Sequence, residues 1–145
     1  MLVQHILKSK DSDAVVTVSS DTAVSEAARI LSEKRIGTVV VSDDGGATAV
    51  GILSERDIVR ELAASGGGCL DRAVGDYMTR DLVTCTRDLS ADAVLQKMTD
   101  GRFRHMPVVE DGKLIGLITL GDAVKARLSQ LAMEKDALEG MIMGH

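Results

Sequence analysis

Two stretches of this chain carry the same order of residues, and that duplication limits the fold more than any other feature. Val24, Ala27, Ala28 and Leu31 are answered by Ala91, Val94, Leu95 and Met98, each 67 positions later. The spacing i, i+3, i+4, i+7 predicts an amphipathic helix in both places. The β-prone runs Val15-Val16-Thr17-Val18 and Leu82-Val83-Thr84-Cys85 precede these helices at the same offset. The runs Val39 to Ser42 and Met106-Pro107-Val108-Val109 follow them, again matched. Hairpin-turn chemistry comes next, Asp43-Asp44-Gly45-Gly46 in one copy and Asp111-Gly112 in the other. Beyond the turns Asp57 matches Asp122 at an offset of 65, so the second hairpin is two residues shorter. A loop is where a repeat tolerates deletion. The chain is an internal duplication of a strand, helix, hairpin, helix unit.

One such unit is too small to bury both faces of its sheet. Two copies packed through their sheets remove the difficulty. The expected fold is α/β, a pair of units related by a pseudo-two-fold axis with clefts between them. Residues 1–64 would form the first unit, 65–70 a Gly-rich linker, 71–128 the second unit and 129–145 a helical extension. Val3 to Lys8 reads as a short helix or a turn, and Lys10-Asp11-Ser12-Asp13 as a polar break. Asp21 or Thr22 is placed to cap the first amphipathic helix and Gly37 to end it. Thr48 to Leu53 is the expected return strand, and Val74 to Met78 a helical turn. In the last helix Val124, Leu128, Leu131, Lys135, Leu138 and Ile142 alternate in steps of four and three. That is a coiled-coil-like stripe broken by one Lys. It needs a partner surface, on the same chain or on another subunit.

Composition removes several classes of function. The 145 residues carry a net charge of −5 with no basic block, which leaves no nucleic-acid footprint. Tyr77 and Phe103 are the only aromatic residues, so base stacking lacks platforms. No apolar run approaches membrane-spanning length and the first residues do not start a signal peptide. Cys69 and Cys85 form no metal pattern, and a reducing cytosol is the expected compartment. Cys85 reads as core and Cys69 as an exposed bystander beside the Gly-rich stretch. His5 and His145 belong to no constellation.

The chemistry rests on Gly51-Ile52-Leu53-Ser54-Glu55-Arg56-Asp57 and its copy Gly116-Leu117-Ile118-Thr119-Leu120-Gly121-Asp122. Both sit where a strand becomes a helix. The N–H groups of a helix start are unpaired and carry partial positive charge. A hydroxyl and a carboxylate there cap the helix or hold a ligand, and capping alone accounts for either motif by itself. Arg35 and Arg102 match each other and read as structural ion-pair residues.

Taken in order, these pieces resemble the cystathionine β-synthase (CBS) domain family, as a tandem pair. The resemblance runs from Val3 to Arg127. It rests on Val74-Gly75-Asp76-Tyr77-Met78-Thr79, on Arg104-His105-Met106-Pro107-Val108-Val109 and on the two Gly-x-x-[Ser/Thr]-x-x-Asp segments. It implies a non-catalytic regulatory module that binds an adenosyl ligand: AMP, ADP, ATP, NAD(H) or S-adenosylmethionine. It also implies pairing of modules into a disc, hence a homodimer formed through the CBS modules and the C-terminal helix. No enzyme, channel or transporter domain is evident in the sequence, so the regulated target is expected to be a separate protein.

In this family each nucleotide site draws on both repeats. Carried over, one site combines Ser54, Arg56 and Asp57 with Thr84, Arg104, His105 and Met106. The other combines Thr119 and Asp122 with Thr17, Gly37, Thr38 and Val39. A carboxylate can accept hydrogen bonds from both ribose hydroxyls. The first site collects three basic residues, whereas the matching positions of the second offer Gly121, Gly37 and Thr38 and no cation. The first is therefore expected to be the better AMP or ADP site. The second would hold a less charged adenosyl group or none. Two other functions compete: a scaffold with vestigial sites, and an enzyme. No activated nucleophile, acid–base pair or metal set supports the enzyme.

Overall fold

A computed structural model describes residues 1–10 and 15–143. Most of the polar break, from Asp11 to Asp13, and His145 lie outside the described residues. The elements are α1 (Val3–Ser9), β1 (Thr17–Val18), α2 (Val24–Lys34), β2 (Thr38–Val41), β3 (Gly51–Ser54), α3 (Glu55–Ser65), α4 (Ala91–Gly101), β4 (His105–Glu110), β5 (Lys113–Thr119) and α5 (Leu120–Ile142). Two short 3₁₀ segments, Gly66–Asp71 and Val74–Asp76, join the halves. The architecture is the expected α/β pair of repeats. β1 runs parallel to β2, which is antiparallel to β3, and β4 is antiparallel to β5.

The duplication is imperfect at one place, for a chemical reason. In the first repeat Val40 N–H donates to Val16 O and Ser42 N–H to Val18 O. In the second, Val109 N–H donates to Cys85 O, the counterpart of the latter bond. The counterpart of Val40 is Pro107, which has no N–H to give. The expected strand Leu82–Cys85 therefore shrinks to a single bridge between Cys85 and Val108. The expected return strand also shortens, to Gly51–Ser54. Asp44 accepts the N–H and hydroxyl of Thr48 and the hydroxyl of Ser42, which keeps that segment in the turn.

Helix boundaries differ from expectation where backbone replaces side chain. α2 is capped by neither Asp21 nor Thr22; its N-cap is Ala23, and Val24 N–H donates to Arg72 O at 2.9 Å. Nor does Gly37 end it. Arg35 does, with φ 54° in the left-handed region, and Arg102 ends α4 at φ 57°. A side chain in that region costs roughly 1–2 kcal/mol, which is why glycine is the usual residue there.

Each repeat completes the core of the other. Val3 and Ile6 of α1 lie in the core of the second repeat with Val94, Met106 and Ile118. Val74 and Met78, which lead into the second repeat, lie in the core of the first with Val24, Val39 and Leu53. The exchange explains Gly51 and Gly116. A Cβ on Gly51 would meet Met78 Sδ at 2.6 Å, and one on Gly116 would meet Leu7 Cδ2 at 2.6 Å. The motif glycines are the gaps into which the exchanged segments pack. Cys69 is 2% exposed, not the exposed bystander expected beside Gly66-Gly67-Gly68. It and Cys85, which is buried as expected, are free thiols.

Candidate functional site

Both motifs form the same hydrogen-bonded start. Ser54 Oγ accepts Asp57 N–H at 3.2 Å, and Asp57 Oδ2 accepts Ser54 N–H at 2.9 Å. Thr119 Oγ1 accepts Asp122 N–H at 3.1 Å, and Asp122 Oδ2 accepts Thr119 N–H at 2.9 Å. These are reciprocal capping boxes. The next amide is satisfied from the strand entry: Glu55 N–H donates to Gly37 O and Leu120 N–H to Arg104 O. Each helix start is thereby tied to residues just before β2 or β4, and a cleft opens beside each.

The first cleft encloses about 320 Å³. It brings together Ser54, Arg56, Asp57, Arg104 and His105, as expected, with Arg60 and Arg102 added. Asp57 Oδ1 meets Arg60 Nη1 at 3.2 Å. Two expected members are elsewhere. Thr84 is exposed and does not line the cleft, because the segment around it has lost its strand pairing. Met106 is fully buried, with its side chain in the core.

The second cleft is larger, about 570 Å³. Thr119, Gly37 and Thr38 line it, on a floor that includes Leu7, Val16, Ile36 and Leu117. Val39 is fully buried in the core and Thr17 lies off the wall. The matched positions hold no cation, but the cleft does: Lys10, Lys34 and Arg35 line it. Comparison of matched repeat positions missed them for definite reasons. Lys10 follows the exchanged helix α1 and has no match in the framework. Lys34 and Arg35 lie at the end of α2, where Arg35 does have a match, Arg102, in the wall of the first cleft. That pairing was visible in the sequence. Among the described residues neither arginine forms the ion pair expected of it.

Lys10 also decides where Asp122 sits. Its Nζ donates to Asp122 Oδ2 at 2.8 Å and to Leu117 O at 2.9 Å. Lys10 borders the cleft on one side and, on the other, a recess of about 300 Å³ that Asp122 lines. The carboxylate expected to meet ribose therefore lies behind a lysine. Burial pushes the Asp122 carboxyl upward, but hydrogen bonds from Lys10 and Thr119 and the Lys10 charge outweigh it and hold the pKa below the ordinary value. His105 borders both clefts. Burial and then the Arg104 charge lower its pKa, against weaker upward pulls from Glu55 and Asp122. Its counterpart Thr38 is 4% exposed, and Oγ1 has no hydrogen-bond partner among the described residues. An unsatisfied buried hydroxyl costs about 1–3 kcal/mol. A ligand oxygen or nitrogen in the second cleft would satisfy it.

The pattern that describes the CBS domain matches residues 8–64 and 74–129. The chain belongs to the CBS domain family. Among curated CBS proteins it is similar to the mitochondrial CBS domain-containing protein CBSX3 of Arabidopsis thaliana, with 32% identity over 98% of this chain and 72% of that protein. A CBS-domain containing protein of Agrobacterium tumefaciens has the same fold, with 42% identity and a TM-score of 0.82 over 88% of this chain and 99% of the other. The CBS domain pair of protein MJ0100, solved with 5′-methylthioadenosine and S-adenosylmethionine, is 29% identical. It superposes with a TM-score of 0.77 over 90% of this chain and 98% of its own. Among the described residues of this CBS pair, no helix is long and apolar enough to cross a membrane, and no cluster of His, Cys, Asp and Glu is placed to hold a metal ion.

Proposed function

We propose that this CBS pair is a non-catalytic regulatory module that binds an adenosine-containing nucleotide between its repeats and signals to a separate partner protein. The reading divides the chain at the linker 65–70, where Gly66, Gly67 and Gly68 are exposed, and places the protein in the cytoplasm as a homodimer. The observation that carries it is the second cleft, lined by Thr38, whose buried hydroxyl has no partner among the described residues, and bordered by Lys10, Lys34 and Arg35. The ligands of MJ0100 support an adenosyl group in such a cleft. The charge of this cleft refines the choice. Lys10, Lys34 and Arg35 border it, and Asp122 is already neutralised by Lys10. A phosphorylated ligand such as AMP, ADP, ATP or NAD(H) matches that charge better than the sulfonium cation of S-adenosylmethionine. Both clefts carry cations, so a ranking of the Asp57 site above the Asp122 site on charge no longer holds.

Calorimetric titration of the full chain with AMP, ATP, NAD(H), S-adenosylmethionine and 5′-methylthioadenosine tests the reading. Binding of a phosphorylated adenosyl ligand, weakened in Thr38→Val, is the expected result. Binding of none of the five would overturn the sensor and leave a scaffold.

A further inference from the structure

The long helix α5 has two distinct faces. Ala123 and Ala126 are buried, Gln130 accepts a hydrogen bond from the Met1 amino group, and Arg127 pairs with Asp92 of α4. These residues fix the helix to its own repeat. On the other face Val124, Leu128, Leu131, Leu138 and Ile142 stand in solvent, with Leu128 62% and Ile142 78% exposed. Written as a heptad, the exposed residues occupy the two seam positions, with Lys135 among them. Ala123, Ala126 and Gln130 lie about 100–160° away around the helix, and Arg127 flanks the seam about 60° from its centre. The face does not fold back on its own chain.

We propose that the exposed seam of α5 pairs with the same seam of a second copy, antiparallel, about a two-fold axis near Met133. This deepens the self-association proposed above by naming its surface, direction and register. Charge selects the direction. In the antiparallel pair Val124 meets Ile142, Leu128 meets Leu138 and Leu131 meets Lys135 of the second copy. The flanking Lys125 of each copy then faces Glu139 of the other, giving two opposite-charge pairs. Glu134 meets its own copy at the axis, one residue from both Lys135 ammonium groups. The parallel pair has none of this balance. It places Lys135 directly against Lys135 in the seam and sets Glu134 against Glu139 twice. Arg127 adds no charge pair in either arrangement, because it flanks Met141 of the second copy in the antiparallel pair and Ala132 in the parallel one. Like charges at these flanking positions set partner orientation in coiled coils.

Sedimentation equilibrium and thiol cross-linking of the full chain test the inference. Glu139→Lys should raise the dimer dissociation constant about tenfold, since two attractive pairs become repulsive, and Lys125→Glu added to it should restore dimerisation. In a parallel pair Glu139→Lys alone would instead strengthen the dimer. Cys69 and Cys85 are buried, which leaves an introduced thiol as the reactive one. Ala132→Cys, beside the axis, should cross-link to its own copy, and Leu138→Cys should not. Cross-linking at Leu138→Cys, or a tighter Glu139→Lys dimer, would overturn the antiparallel register while leaving the homodimer standing. A monomer across the micromolar range would overturn both.

Discussion

Replacing Lys10 by Ala separates two things that the second cleft asks of one side chain. The ammonium group donates to Asp122 Oδ2 and Leu117 O, at 2.8 and 2.9 Å. Both side chains are about three-quarters buried, 25% and 22% exposed, so water still screens the pair. Its loss should cost only about 0.5–1 kcal/mol of stability. Ligand selectivity should change far more. A ribose that reaches Asp122 must first displace Lys10, and the displaced ammonium is then free for phosphate. Removing it therefore has opposite effects on two ligands. Adenosine loses the competitor and should bind about threefold more tightly. AMP loses a charged hydrogen bond, which is worth roughly 1.5–3 kcal/mol, so its affinity should fall about tenfold or more. The ratio of AMP to adenosine affinity should drop about thirtyfold by these two factors together. Calorimetry of both ligands against wild type, Lys10→Ala and Lys10→Arg at fixed ionic strength reads that ratio, and Lys10→Arg should keep most of it. A ratio unchanged in Lys10→Ala would refute the displacement argument. Equal losses for both ligands would reduce Lys10 to a structural residue.

Three further outcomes follow from named contacts. Gly51→Ala should destabilise by about 1–3 kcal/mol in urea denaturation. Gly116→Ala should cost less, because its new methyl meets only the flexible end of Leu7, whereas the one at Gly51 also meets Thr79 O at 3.0 Å. Arg35→Gly should raise stability by about 1 kcal/mol through relief of the left-handed backbone, and yet weaken AMP binding by removal of a cation from the cleft. His105 has a lowered pKa when folded, so the unfolded chain binds its proton first as pH falls. Its contribution is complete above the unfolded value of 6.5 and is lost as pH drops through the folded value. The melting temperature should therefore fall more steeply between pH 7 and 5 in wild type than in His105→Gln. Parallel pH profiles would remove His105 as the cause.

The repeat was legible because it is written in periodic residues. Val24 to Leu31 and Ala91 to Met98 form helices in which three of the four residues the spacing marks are buried and the fourth, Ala28 or Leu95, is half-buried. The capping boxes at Ser54 and Thr119 were equally plain, since the hydroxyl and carboxylate that make them lie three residues apart. What escaped reading was long-range. Nothing local announces that α1 packs into the second repeat, so the sequence alone could not place Lys10 over Asp122. Ala23 is a poor cap by type, and only the carbonyl of Arg72, distant in sequence, makes it a sufficient one. Pro107 carried a local signal of the opposite kind. A residue without an N–H in a paired strand foretells the missing ladder beside Thr84.

The exchanged segments have a consequence for how this chain comes apart. Residues 1–10 end among the side chains of the second half, and 70–78 among those of the first. A protease cut at Gly67, on the exposed crossing between them, would therefore leave two fragments interlocked. The nicked protein should run as two bands on a denaturing gel and as one species in solution. Neither fragment prepared alone should fold, because each would lack the strip of core that the other supplies. Heating should melt the intact chain in one step, so loss of grip in either half removes both clefts together.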